Sequence, residues 1–423
     1  MTGAAIRALR PRSLLATFGG GLPSNYWKLW SSAVAANLAD GIVAVAIPLI
    51  AVRLTHSPAE IAGLAVAVQV PMLLLGLVAG GLADRLDRRL TMLAVQLLRV
   101  GVLGTLVVLA LMDALSMPVL YVAAFAIGTG EAFFDTNAQS IVPAVAGRER
   151  LVAANGRLFA AETVMNQFVG PPLGGLLIAL SVPLALTVGV AGFALAAVGL
   201  VLIVGTFRAE REGPPRRLHR EIGEGIGYLL HHRLLLTLSS MVALGRLGSA
   251  GLFSLLALYA VAPGPMGLSE PEYGLLLVTM GAGSIVGSFV TGRFVRALGR
   301  PNVLVLTTVV FGVGIALPAF TADPLIIGAG FFVSGMAIMG WNVTNVSLRQ
   351  SILPTQLMGR VHATHRVLAN AAGLIGAILA GVIGEALGLP AVFAIGAAIT
   401  LVGVLGRVIV TEERIAAAEA AAG

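Results

Sequence analysis

The chain has 423 residues, 57% of them hydrophobic and only 11% charged, with a mean hydropathy of +0.95. A water-soluble domain is excluded by that composition, and the absence of cysteine excludes disulfides and thiolate metal sites. The net charge of +7 and the pI near 10.6 would by themselves fit a nucleic-acid partner, so the placement of the charges has to decide.

A helix needs about 20 mostly apolar residues to cross a hydrocarbon core of about 30 Å. Such runs recur along the whole chain, and lipid admits only helices and closed barrels. The runs are continuous rather than alternating, which predicts helices. Twelve spans are expected, at 28–52, 58–82, 90–112, 119–137, 158–180, 183–206, 234–261, 274–295, 303–320, 325–346, 364–387 and 390–409. The segment before the first span carries Arg7, Arg10 and Arg12 but has no compact apolar core or cleavage site, so it does not read as a removable signal peptide.

An even number of spans puts both termini on one side. With that side assigned to the cytoplasm, 24 of the 27 Lys and Arg residues lie there; Arg53 lies near the other face, and Arg99 and Arg246 fall within spans. This is the positive-inside pattern. The basic excess is a topology signal, so the expected surroundings are a lipid bilayer, the cell inner (plasma) membrane, and no nucleic acid.

The stretch GGLADRLDRR at 80–89 is the hairpin between spans 2 and 3, and it has a counterpart. GRFVRALGR at 292–300 places Gly292 under Gly80 and Arg300 under Arg88, an offset of 212. QSIVP at 139–143 returns as QSILP at 350–354, and GPPLGG at 170–175 is echoed by GAILAG at 376–381. Matched segments in one order, half a chain apart, indicate two homologous six-helix halves. They are expected at 1–207 and 234–423, joined by a charged, Pro-containing linker at 208–233. Parallel six-helix halves place a binding site between them near the midplane.

On these residues the chain resembles the major facilitator superfamily over nearly its whole length. GGLADRLDRR is similar to the superfamily hairpin Gly-x-Leu-Ala-Asp-Arg-x-Gly-Arg-Arg, departing where Asp87 replaces the second glycine. VGPPLGG resembles the second half of the antiporter motif of drug–proton exporters, although Asn166 stands where that motif has an earlier glycine. WKLWSSAVAANLADGIVAVAIPL, FFDTNAQSIVPAV and EIGEGIGYLLHHRLL are similar to the twelve-helix macrolide and enterobactin exporter branch. The resemblance implies an all-α membrane fold of two pseudo-symmetric halves whose helices 1, 4, 7 and 10 line a central cavity. It further implies a gate built from Gly80, Asp84, Arg85, Arg88 and Arg89, with Arg88 pairing Asp135 and Asp84 facing the start of helix 11 near His362. The alternative is that the hairpin arginines only fix topology.

Charges inside the hydrocarbon are the strongest pointers read from the residues themselves, since each costs about 2.5–3.5 kcal/mol at a helix centre even on lenient scales. Asp40, Glu131 and Arg246 fall near mid-span, and helix 10 carries Trp341, Asn342 and Asn345 there. Asp40 and Glu131 are the proton-coupling candidates, because a carboxyl group removed from water holds a proton more readily. Two alternatives stand beside that reading: a static Asp40–Arg246 ion pair between the halves, or direct contact with a cationic substrate. Asn37, Arg246, Trp341, Asn342 and Asn345 are the substrate-facing candidates. Arg99 reads as snorkelling or pairing with lipid. Gly170, Pro171, Gly174 and Gly175 read as close helix packing beside a proline bend, with a role in coupling as the alternative.

Other patterns are set aside. GAGSIVG at 281–287 lies inside a span with no preceding strand, and Asn342 and Asn345 head glycosylation patterns that fall in a span. His231 and His232 read as interfacial, not as a metal site. No nucleotide-binding loop occurs, so no cofactor, metal or ATP drive is expected, and the chain does not read as an enzyme. The expectation is a monomeric exporter of small hydrophobic or amphipathic molecules that works by alternating access in exchange for protons. Rival readings are a siderophore, metabolite or lysolipid transporter of the same fold, and a non-transporting membrane scaffold.

Overall fold

The computed structural model describes residues 21–83, 87–207, 226–353 and 358–422. Twelve helices are long and apolar enough to cross a membrane, one for each predicted span. They are α1 (Ser24–Leu54), α2 (Pro58–Ala83), α3 (Arg88–Leu111), α4 (Met117–Ala146), α5 (Leu151–Leu180) and α6 (Val182–Val201). The second set is α7 (Arg233–Ala260), α8 (Glu270–Leu298), α9 (Arg300–Phe320), α10 (Pro324–Ile352), α11 (Met358–Leu387) and α12 (Leu389–Val402), and α13 (Glu412–Ala422) follows.

Local chemistry explains several helix starts. Asp87 accepts from the backbone N–H groups of Arg89 and Leu90 at the start of α3, and Asp323 accepts from Leu325 and Ile326 at the start of α10. Ser269 and Glu272 form a reciprocal capping box on α8. These side chains satisfy donors that the first helical turn leaves without a partner.

The packing repeats after six helices. In the first set α1 packs on α5 and α6, α2 on α4, and α3 on α4 and α6; in the second α7 packs on α11 and α12, α8 on α10, and α9 on α10 and α12. The two bundles meet along α2–α11 and α5–α8. This is the major facilitator fold of two pseudo-symmetric six-helix halves. Most of the predicted linker, 208–225, lies outside the described residues.

At the basic face the halves differ in an instructive way. Asp87, which departs from the resembled motif, is nearly buried and also accepts from the Phe207 N–H at 2.9 Å, tying the hairpin to the chain leaving α6. The position 212 residues later is Gly299, with φ +80° and no side chain to offer. There the carboxylate comes from α13: Glu412 accepts from the Arg300 N–H at 3.0 Å, and Glu419 pairs with the Arg300 guanidinium. The counterpart N–H in the first half, that of Arg88, goes instead to the Phe207 carbonyl at 3.3 Å, so each hairpin is tied to the chain that follows its sixth helix, through different groups.

Hydrogen bonds from Arg300, then from Ser351, hold the Glu419 carboxyl below its ordinary value. A depressed carboxyl contributes its stabilisation above its unfolded-state value and loses it as pH falls through the folded-state value. Amide exchange in α13, expressed relative to the unprotected rate at each pH, should therefore quicken on acidification. In Glu419→Gln it should already be fast at neutral pH and change little in acid; unchanged protection in that variant would remove Glu419 as the tether.

Candidate functional site

Arg99 is the twelfth of the 24 residues of α3, and its side chain is only 1% exposed. Its guanidinium lies 3.3 Å from an Asp40 carboxylate oxygen of α1 and 2.9 Å from Glu131 Oε2 of α4. The rings of Phe134 and Phe193 lie 5.4 and 5.0 Å from its central carbon, so cation–π attraction adds to the ion pairs. A planar fork is suited to reaching two acceptors on different helices.

The two carboxylates border a cavity of about 790 Å³, within the roughly 300–1,000 Å³ range of small-molecule sites. Along α1 the lining runs from Leu29 to Pro48, about 28 Å at 1.5 Å per residue. Residues of α2 to α5 complete most of the wall, and α7 adds Phe253 and Ser254. Asn37 lines it and donates to the Ala33 carbonyl at 2.8 Å. Glu162 of α5 lines it as well. Sequence reasoning missed that residue because it began the span at 158, which put Glu162 near the membrane edge; the helix in fact starts at Leu151.

Next to Asp40 the helices come into backbone contact. A Cβ on Gly41 would sit 2.7 Å from the Asn166 carbonyl and 3.0 Å from Gly170 Cα. The Asn166 stretch, Thr163–Val169, is wound in wider π turns, and the Gly170 N–H bonds to the Met165 carbonyl five residues back. Pro171 and Pro172 follow, and neither can donate to the turn before it; the wider register re-pairs part of the freed backbone. Gly174 lies on Ile42 of α1, Gly175 on the Glu270 backbone of α8, and Gly274 of α8 on the Pro171 carbonyl. GPPLGG is thus a three-helix junction of α1, α5 and α8 that joins the halves.

The membrane face opposite the basic one is closed across the halves. Arg53 of α1 donates to Glu270 of α8 at 2.8 Å and to the Ile178 carbonyl at 3.1 Å. Glu385 of α11 accepts from Ser57 Oγ at 2.8 Å at the start of α2.

Other predicted residues fall elsewhere. Asp40 does not pair with Arg246: its cation is Arg99 of its own half, because α3 packs beside α1's neighbours while Arg246 projects from α7 toward Gly373 of α11 and Gln69 of α2. Arg99 neither snorkels nor faces lipid, because two carboxylates satisfy it at depth. Trp341 and Asn342 line a separate pocket of about 130 Å³ in the second half, with Phe311, Thr307 and Thr308. Asn345 is buried, its Oδ1 without a hydrogen-bond partner. None of Arg246, Trp341, Asn342 and Asn345 lines the large cavity. Arg88 donates to the Ser140 carbonyl and Arg89 to the Val201 carbonyl, each at 3.0 Å. Asp84, Arg85 and the side chains of Asp135 and the residues around Gly80 lie outside the described residues, so the Arg88–Asp135 pairing does too.

Two six-helix bundles bridged at the face opposite the basic one, with a cavity walled mainly by the first, define a major facilitator transporter. The chain belongs to the transmembrane secretion effector family, whose model matches residues 23–422, and is thus a transport protein and not an enzyme. It is similar to the multidrug efflux pump Tap of Mycolicibacterium fortuitum, 30% identical over 88% of this chain and 93% of that protein. The enterobactin exporter EntS of Shigella boydii is 27% identical over 88% of this chain and 89% of its own. Among solved structures, the nucleoside transporter NupG shares the fold with a TM-score of 0.72 at 12% identity, covering 91% of this chain and 98% of that one. A bacterial homologue of the iron transporter ferroportin does so with 0.70 at 17% identity, covering 91% and 97%.

Removing one partner of a buried ion pair costs about 3–5 kcal/mol. Arg99→Leu should lower stability by less than that at neutral pH, since the carboxylates it leaves are 26% and 39% exposed, and by less still in acid, where they are protonated. Arg99→Lys should fall between, since an ammonium cannot fork to both acceptors; thermal unfolding across pH decides, and a fully stable Arg99→Leu protein would remove the pair from the stabilising set. Gly170→Leu should cost about 1–3 kcal/mol by overpacking against Gly41, read from the same melts.

Proposed function

We propose that this transporter exports small hydrophobic or amphipathic molecules by alternating access, in exchange for protons, with its basic face and both termini in the cytoplasm of the inner membrane. The observation that carries the reading is the shared cation: Arg99 is held by Asp40 and Glu131 at the wall of a drug-sized cavity. The Tap and EntS relatives support export, and the charge asymmetry of the chain supports the orientation.

In this orientation the Arg53–Glu270 pair and the bond of Glu385 to the start of α2 bridge the outer ends of the halves, which supports an inward-facing reading. Two carboxylates against one guanidinium leave one negative charge, which a proton neutralises. Protonating either carboxyl weakens its hold on Arg99 and frees α1 relative to α3 or α4. Gly41 follows Asp40 and rests on the junction of α5 with α8, so movement of α1 at Asp40 reaches the contact between the halves. On its resemblance to the superfamily hairpin, the stretch with Gly80, Asp84, Arg85, Arg88 and Arg89, together with Asp135, is assigned as the gate that closes the cytoplasmic side in the other half of the cycle. Arg246, Trp341 and Asn342 are assigned to the second half's share of the substrate path. Export of a siderophore or metabolite is the second reading, supported by EntS; it differs in substrate and not in mechanism.

Inverted vesicles with and without a pH gradient test the proposal. Asp40→Asn keeps shape and hydrogen bonding but cannot exchange a proton, and Arg99 retains Glu131. Gradient-driven uphill transport should fall by at least about tenfold, while downhill exchange and substrate binding persist. Full uphill transport in both Asp40→Asn and Glu131→Gln would sink proton coupling at this site.

A further inference from the structure

Among the described residues four charged side chains line the large cavity: Asp40, Arg99, Glu131 and Glu162. Arg99 is committed to Asp40 and Glu131. Among the described residues Glu162, exposed and lining the cavity, has no hydrogen-bond or ion-pair partner, and Glu131 shares the wall with it. The nearest cation along its own helix, Arg157, is five residues toward the basic face, with its guanidinium 5.4 Å over the Trp27 ring, and does not line the cavity. Among the described residues the helices packed on α5 bring no other cation to it: α1 offers Asp40 and holds Lys28 and Arg53 at its two ends on the Leu202 carbonyl and Glu270, α4 offers Glu131, α6 carries no charged residue, and on α8 the charges sit at the helix ends.

Three carboxylates against one guanidinium leave a charge of −2 when all are ionised. Most of the remaining wall is apolar, and the carboxylates keep exposure to the cavity, 26% for Asp40 and 39% for Glu131, so the cavity presents an excess of negative charge that protons or a cationic group can meet directly. Phe134, Phe159 and Phe253 also line the space, and aromatic faces attract cations as well. An anionic ligand would meet repulsion from the same surface.

We propose that Glu162 is a substrate-binding residue, and that the cavity selects organic cations with an apolar body, seating the positive group against Glu162 and Glu131. This rests on the exporter reading above and specifies its substrate class. When the cation enters, a carboxyl proton leaves to water and the cation takes over its neutralising role, so binding and proton release occur together. Neutral molecules of the same size gain the apolar contacts without this exchange.

The test uses the purified full chain, with tetraphenylphosphonium as the cation and triphenylphosphine oxide as a neutral, comparably apolar control. The phosphonium should bind more tightly and release protons into weakly buffered solution, read with a pH indicator. Glu162→Gln should weaken phosphonium binding by about tenfold or more and reduce the release, leaving the neutral control unchanged. Glu162→Asp, which keeps the charge, should retain the preference, and melting curves of both variants report folding. Equal affinity for the two probes, or phosphonium binding unaffected in Glu162→Gln, overturns the inference. Gradient-driven export of neutral compounds with no preference for the cation would overturn it while leaving the exporter reading intact. Cation binding with proton release but no transport in vesicles would do the reverse.

Discussion

A guanidinium at the centre of a membrane helix is tolerated when other charges meet it there, and Arg99 is met by Asp40 and Glu131 from two neighbouring helices. The three residues are interdependent: each carboxylate would be costly without the cation, and the cation more so without them. Together they bind α1, α3 and α4 into one unit and put a titratable pair at the wall of the cavity. The position of that wall, the charge of the cavity and the route by which a proton could act on the helices all follow from this cluster.

The pseudo-symmetry of the halves shows how localised that chemistry is. The helix pairings of the first bundle return in the second, yet the polar residues do not. Asn342 stands under Glu131 at an offset of 211, and Phe311 stands under Arg99 at 212. The second half keeps the architecture and carries a small pocket bordered by Phe311, Thr308 and Asn342 in place of a charged cluster. An inverse exchange occurs at the basic face, where the second half lacks the Asp87 carboxylate and obtains one from Glu412 of α13. Both hairpins are tied to the chain that follows the sixth helix of their half, but through different groups.

The glycine and proline content of α5 links the charged cluster to the contact between halves. Backbone-to-backbone approach at Gly41–Gly170 and at Gly175–Glu270 leaves no room for a side chain, so α5 registers small displacements of α1 and of α8 directly. The π turns at Thr163–Val169 run directly up to the first of those contacts, and a helix wound at that register is a place where the chain can change its hydrogen bonding without breaking.

Much of the architecture was legible in the sequence, because the cost of exposing backbone to hydrocarbon forces length, continuity and charge asymmetry onto every span. Twelve helices, the repeat near 211 residues, the hairpin at 80–89 and the depth of Asp40 and Glu131 all follow from one-dimensional pattern. The partner of those carboxylates does not. A helix that is apolar on most sides carries no stripe to show which face meets its neighbours, so the rotation that turns Arg99 inward, away from lipid, is decided by packing across α1, α3, α4 and α6. Glu162 was hidden for a related reason: a span boundary read seven residues late, 158 against Leu151, shifts a charge from the middle of a helix to its edge. The sequence by itself determined the solvent, the number of crossings and the duplicated plan; only the tertiary structure decided which buried charges neutralise one another, because that depends on distances between helices far apart along the chain.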